Sequence, residues 1–200
     1  MMSVQRLFQK TFFRLRALAA ALVSSPIRRL FWSLQGMRIG RSIRLPRLLV
    51  TWPHQVSLGD CCTLESLIHF KFDGIWSHGP CIEIGRHCFL GMACEFNIRR
   101  GIRVGDHSAI ASGCKFIDHD HGITGIRLDE SPGKEAAIRI GQHVWIGANV
   151  VVLKGVTIGE SAVVGAGSVV VKSIPAGEIW AGIPARKIGS REKEQEDAAG

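Results

Sequence analysis

Residues 117–123 read IDHDHGI, which places Asp118, His119, Asp120 and His121 side by side ahead of Gly122. An imidazole, with an ordinary pKa near 6.5, is the side chain best matched to taking and returning a proton at neutral pH. A carboxylate beside it can orient the ring or stabilise its charged form. Asp and Gly also favour turns, so the same segment could be a hydrated corner. Neutral imidazoles also bind metals. No cysteine or third histidine stands where it would complete a ligand set, so no metal is expected. The choice depends on what carries the segment.

What carries it is a period of six. From Ile140 onward an Ile or Val recurs at every sixth position: Ile140, Ile146, Val152, Ile158, Val164 and Val170. Gly141, Gly147, Gly159 and Gly165 each follow one of these anchors. The beat is also present upstream as Ile84, Leu90, Phe96 and then Val104, Ile110, Phe116, with fainter traces at Leu58–Leu64 and Ile39–Leu45. Six is neither the helical 3.6 nor the strand period of 2; it is the mark of a β-solenoid of hexapeptides. Anchors point into a narrow core, the glycines permit the corner turns, and three hexapeptides close one triangular coil. The anchors group as 84/90/96, 104/110/116, 140/146/152 and 158/164/170, and the weaker traces bring the count to five or six coils. Between Phe116 and Ile140 the beat lapses over residues 117–139, and IDHDHGI opens that lapse. An excursion from a stiff solenoid is where function concentrates.

The chain has 200 residues, enough for one domain with a sizeable core. Its six cysteines form no C-x-x-C pair. Cys62, Cys88, Cys94 and Cys114 each stand two residues before an anchor, in a slot otherwise filled by Ser108, Val144, Val150, Val156, Ala162 and Ser168. They read as reduced, inward-facing small hydrophobes, which implies a reducing, cytoplasmic setting.

These repeats resemble the hexapeptide-repeat acyltransferases of the left-handed parallel β-helix fold. The match is most specific over residues 138–188, with VWIG, VTIG, GAGSVV and an AG-x-PA-[RK] element, and extends more loosely over 36–189. Within that family the chain resembles the sugar and polysaccharide O-acetyltransferases, the maltose, galactoside and colanic-acid acetyltransferase-like proteins. The resemblance implies a left-handed coil, a homotrimer, acetyl-CoA as acyl donor, and His119 as the base for a sugar or lipid-linked glycan hydroxyl, with Asp118 or Asp120 orienting it. His121 reads as a turn residue, a partner of His119 or a substrate contact, and Asn97, at the end of the 84/90/96 coil, as a candidate for holding the acceptor or as a side-chain hydrogen bond in a turn. The resemblance places Ala148, Ala166, Val171, Lys172 and Arg186 along the CoA groove. Val171 stands where the family often has Thr, and Ile183 replaces the Asn of GNPA. Trp145 is expected to pack in or beside the solenoid wall.

Three parts follow: a basic helical segment 1–36, the solenoid 37–189 with its inserted loop 117–139, and a polar tail 190–200 expected to be disordered. Residues 1–59 carry ten Arg and Lys and no Asp or Glu, against a net charge of +8 for the whole chain. Residues 4–24 suit a basic amphipathic helix, and a second helix is expected with Ser25 as N-cap, Pro26 first and Gly36 as stop. The apolar run at 17–23 is far too short to span a bilayer. Residues 4–35 can therefore cap the solenoid, lie on the inner face of a membrane, or do both. Nucleic-acid binding has the charge but no motif. Other functions on such a coil are a serine acetyltransferase-like enzyme, a γ-type carbonic anhydrase and a non-catalytic scaffold. The first lacks its long helical N-terminal domain here, and the second lacks a His-x4-His pair.

Overall fold

The computed structural model describes residues 25–74, 77–122 and 133–191. Three parallel sheets form the sides of a triangular prism, and the chain visits them in rotation. The first sheet holds Arg38–Ile39, Val56–Leu58, Ile82–Ile84, Ile102–Val104, Ile138–Ile140 and Thr157–Ile158. The second holds Thr63–Leu64, Phe89–Leu90, Ala109–Ile110, Trp145–Ile146, Val163–Val164 and Glu178–Gly182, closed by the antiparallel strand Ala185–Ser190. The third holds Leu48–Val50, Ile68–Phe72, Glu95–Ile98, Lys115–Ile117, Val151–Leu153 and Val169–Val170.

The six-residue anchors pair in register. Ile84, Val104, Ile140 and Ile158 stack on the first sheet. Leu90, Ile110, Ile146 and Val164 stack on the second, and Phe96, Phe116, Val152 and Val170 on the third. All are at 4% exposure or less. One coil lower, Leu58 and Leu64 are joined by Phe70, six residues after Leu64 and so a further anchor on the beat. Phe70, Phe96 and Phe116 stack with centroids 5.1 and 4.9 Å apart. Truncating a buried ring of this kind costs about 3–5 kcal/mol, so this column is a large part of the core.

The slot before each anchor is more than small. The thiols of Cys62, Cys88, Cys94 and Cys114 donate to the carbonyls of Gly85, Gly105, Ala111 and Gly147 at 3.0–3.2 Å, and the Ser108 hydroxyl donates to Gly141 O at 2.9 Å. The slot thus supplies a weak donor to a corner carbonyl. All six cysteines are free thiols. The neighbouring Cys62 sulfur, and then burial, pushes the Cys88 thiol far above its ordinary range.

The corner glycines serve close approach rather than the turn itself. A Cβ on Gly105 would sit 2.6 Å from the carbonyl carbon of Gly141, and one on Gly141 would sit 2.6 Å from the Glu160 nitrogen. The left-handed backbone falls two residues later, on His107 (φ 59°) and His143 (φ 56°). This corrects the expectation that these glycines were needed for turn geometry.

A helix over residues 25–34 covers the first coil. It ends as expected at Gly36 (φ 90°), where Met37 N–H bonds Trp32 O at 3.1 Å and Gly36 N–H bonds Ser33 O at 3.0 Å. Ser25 does not cap it. Its hydroxyl accepts the Leu45 N–H at 2.9 Å, which ties the helix to the solenoid. The helix expected over 4–24, and the tail beyond Arg191, lie outside the described residues, as does the 123–132 part of the loop. At the other end the last strand runs to Ser190, and Arg191 N–H bonds Gly177 O at 2.9 Å. No helix among the described residues is long and apolar enough to cross a membrane.

Candidate active site

The strand Lys115–Ile117 sets the site's position. Its Ile117 pairs with Asn97 one coil below and with Leu153 one coil above. Asp118 therefore lands on the corner that Arg99, Arg100 and Gly101 turn. Its Oδ1 accepts the Arg99 N–H at 2.8 Å, and its Oδ2 accepts those of Arg100 and Gly101, both at 2.7 Å. The side chain is wholly buried.

His119 stands next to it, at 7% exposure, with Nδ1 3.1 Å from Asp118 Oδ1. Every other partner of Asp118 is an N–H donor, so the carboxylate acts as acceptor and Nδ1 as the fourth donor. That tautomer leaves Nε2 as the ring's acceptor, and among the described residues Nε2 has no hydrogen-bond partner. A buried, oriented imidazole with one basic nitrogen left over can move a proton.

The neck of the insertion holds this geometry in place. His119 pairs with Glu135 as an antiparallel bridge. Asp120 N–H bonds Lys134 O at 3.1 Å, and Ala136 N–H bonds Asp118 O at 2.9 Å. Gly133 lies directly against the Asp120 carbonyl, where a Cβ has no room.

Of the two aspartates expected to orient the ring, Asp118 is the one in contact with it. Asp120 Oδ1 accepts the Lys134 N–H at 2.7 Å, and its Oδ2 pairs with Lys154. The Lys154 ammonium, then the Lys134 N–H, hold the Asp120 carboxyl below its ordinary range. Asp120 thus pins the neck to the coil above and makes no bond to the ring. His121 is exposed beside it, its ring centroid 6.5 Å from that of His119 at 81°. Asn97 lies on the same sheet, and its Oδ1 is buried with no hydrogen-bond partner among the described residues. A buried amide oxygen left unpaired is costly, and a substrate donor would satisfy it.

The other expected residues fall into two groups. Val171 and Lys172, both exposed, follow the strand Val169–Val170 and so share the His119 corner. Ala148 and Ala166 stack on the opposite corner of the same sheet, where Gly167 N–H bonds Ala148 O at 2.8 Å. Arg186 is exposed in the closing hairpin, paired with Ala181, which lies against Gly165 at that corner. Within one chain a face of the prism separates His119 from Ala148, Ala166 and Arg186. Trp145 lies beside the wall and not in it, 53% exposed on the outer face of the second sheet.

The sequence reading missed the residues that hold Asp118. Arg99, Arg100 and Gly101 act through backbone N–H groups, which carry no residue signature. The signal available was the twenty-residue spacing of Phe96 and Phe116, which sets the 99–101 corner beneath Asp118. Arg99 also reaches Asp73 at 3.5 Å and Glu135 at 3.9 Å with its guanidinium, bridging the neck to two coils. A groove of about 570 Å³ opens beside Arg100 and Gly101 over the first sheet, lined also by Arg103, Arg139, Thr157 and Glu160. His119 does not line it. Among the described residues no group of three or more His, Cys, Asp or Glu could hold a metal.

Comparison with known proteins agrees with this architecture. A family model for the bacterial transferase hexapeptide (six repeats) matches residues 137–172, and one for the hexapeptide repeat of succinyl-transferase matches 81–114. Nodulation protein L of Rhizobium meliloti is 37% identical over 118 residues, 56% of this chain and 61% of that protein. A probable acetyltransferase of Mycobacterium tuberculosis is 35% identical over 130 residues, 62% of this chain and 42% of that protein. The matches thus span less than two thirds of these relatives' own lengths. Among solved structures, AntD, an N-acyltransferase from Bacillus cereus in complex with dTDP and 3-hydroxybutyryl-CoA, superposes with a TM-score of 0.72 at 20% identity, over 86% of this chain and 92% of AntD. At that identity the likeness is one of fold. The chain is a left-handed parallel β-helix of hexapeptide repeats, similar to the acyltransferases built on that repeat.

Proposed function

We propose that this hexapeptide-repeat β-helix is an acetyl-CoA-dependent O-acetyltransferase acting on a sugar hydroxyl, with His119 as general base. The observation that carries the reading is the buried Asp118–His119 pair, whose Nδ1 contact of 3.1 Å leaves Nε2 as proton acceptor. Support for the substrates comes from similar proteins: an acetyltransferase among the relatives, and AntD holding an acyl-CoA and dTDP.

In this reading the acceptor hydroxyl lies against Nε2 of His119 and near the unpaired Asn97 Oδ1. As its oxygen forms a bond to the thioester carbonyl carbon, the hydroxyl proton passes to Nε2. Asp118 stabilises the imidazolium through Nδ1–H. The tetrahedral intermediate then collapses with cleavage of the C–S bond. The proton on Nε2 goes to the departing thiolate, which leaves as free CoA thiol. His119 ends the cycle as it began it.

The separation of the two residue groups across one face of the prism leads us to read the site as shared. His119, Asn97, Val171 and Lys172 come from one subunit, while Ala148, Ala166 and Arg186 come from its neighbour in a homotrimer. Lys172 and Arg186 would meet CoA phosphates, guanidinium pairing with phosphate in two parallel bonds. Val171 offers only its backbone.

The test is release of free thiol from acetyl-CoA across a panel of simple sugars, nucleotide sugars, lipid-linked glycans and serine. Turnover on a glycan or sugar class is the expected result. Turnover on serine alone would replace the acceptor assignment. Failure to bind CoA would overturn the whole reading.

A further inference from the structure

The helix over residues 25–34 is packed inside out. Its arginines face the solenoid: Arg28 Nε donates to Leu45 O at 2.8 Å, and Arg29 donates to Gly40 O and Ile39 O at 2.9 and 3.0 Å. Trp32 packs against the core, but the other large apolar side chains face away. Ile27, Leu30, Phe31 and Leu34, spaced i, i+3, i+4, i+7, are 67, 63, 55 and 79% exposed. A surface helix ordinarily buries that stripe, so this one is oriented for something outside the chain's own core. Leu49 and Leu67, both more than half exposed, extend the patch. Between them and the helix runs a cleft of about 340 Å³ lined also by Arg28, Trp32 and Arg47.

Charge says what covers the patch. The first coil, on which the helix sits, exposes Arg38, Arg41, Arg44 and Arg47, and Arg47 lines the cleft. Arg41 is paired with Asp60 at 3.4 Å, and Asp60 is the first acidic residue of the chain. Residues 1–24 add Arg6, Lys10, Arg14 and Arg16 and no acid, so this end of the chain carries positive charge that repels a like-charged surface. A second copy of the same face meets the same repulsion. The acidic residues at 192–197 have no large apolar side chain to lay on the stripe. An exposed aliphatic and aromatic stripe on an arginine-rich coil fits an anionic bilayer surface, with the apolar side chains in the acyl boundary and the guanidinium groups at lipid phosphates.

We infer that the N-terminal end of the solenoid docks on anionic phospholipid through Ile27, Leu30, Phe31 and Leu34, together with Arg38, Arg44 and Arg47 of the first coil. The contact is peripheral and independent of the proposed chemistry, so its test reads binding and no turnover.

The experiment sediments the full chain with vesicles of phosphatidylcholine alone and of phosphatidylcholine with phosphatidylglycerol in equal parts. The protein pellets with the mixed vesicles only, and less so at high salt. Phe31→Asp with Leu34→Asp lowers the partition at least tenfold with the melting temperature unchanged. A second variant, Arg38→Gln with Arg44→Gln and Arg47→Gln, keeps the stripe and weakens binding about fivefold or more. Absence of wild-type binding overturns the inference. So does binding that survives Phe31→Asp with Leu34→Asp, which would move the contact to residues 1–24. A change in oligomeric state in that variant would assign the stripe to a second copy instead.

Discussion

Asp118 spends both oxygens on three backbone N–H groups and still holds Nδ1 of His119, so its charge does two tasks. In Asp118→Asn the new amide group turns N–H toward one of these donors, whichever way it sits. Turnover falls on the order of 10²- to 10⁴-fold as the ring loses its tautomer, while CoA affinity, measured by calorimetry, is retained. Asp120 behaves differently. Its carboxyl is held low by Lys154, so its folded pKa lies below the unfolded value, near 3.9. Its stabilising contribution is present above that value and is lost as pH falls through the folded pKa. The melting temperature of Asp120→Asn therefore lies below that of the wild type at neutral pH, and the two converge in acid below about pH 4. The sequence offered both aspartates as partners of His119. Only the register of Ile117 on Asn97 shows that the first meets a ring of backbone donors and the second a lysine of the next coil.

The coil corners bring neighbouring rungs into backbone contact, and this governs what they tolerate. A methyl group on Gly141 would meet Glu160 N at 2.6 Å, with peptide backbone on the far side that cannot swing away. Gly141→Ala destabilises by about 1–3 kcal/mol in a denaturant melt, as overpacking does. Gly177, with nothing within 4 Å of a Cβ but φ 70°, is limited by its backbone conformation alone. The period of six made the anchors legible, because an anchor at 0% exposure tolerates only apolar side chains. Phe70 is on the beat, but the chain then leaves it for a long corner before Ile84. The orientation of the capping helix was not legible at all. Amphipathic spacing gives two faces, and only the bonds from Arg28 and Arg29 to the first coil show which one points inward.

At the scale of the whole molecule, the solenoid separates the proposed base from the proposed donor groove by one face, and in the proposed trimer a second subunit joins them. That makes complementation a test of the assembly. His119→Ala and Ala166→Trp are each expected to be inactive alone, the first without a base and the second with a blocked groove. Co-expressed and purified together, they regain part of the wild-type turnover, because a mixed trimer holds an interface with an intact base and an intact groove. The sequence resemblance could point to both groups of residues, since each keeps a local motif. It could not show that they occupy opposite corners of one sheet, which depends on the rung each motif occupies. The reading as a whole stands most directly on one comparison: acceptor-dependent thiol release by wild type and by His119→Ala, with CoA affinity measured on both. A loss on the order of 10²- to 10⁴-fold with CoA binding unchanged is the expected result. Turnover undiminished in the variant would contradict it and leave Asp118 and His119 as a structural brace at the neck of the loop.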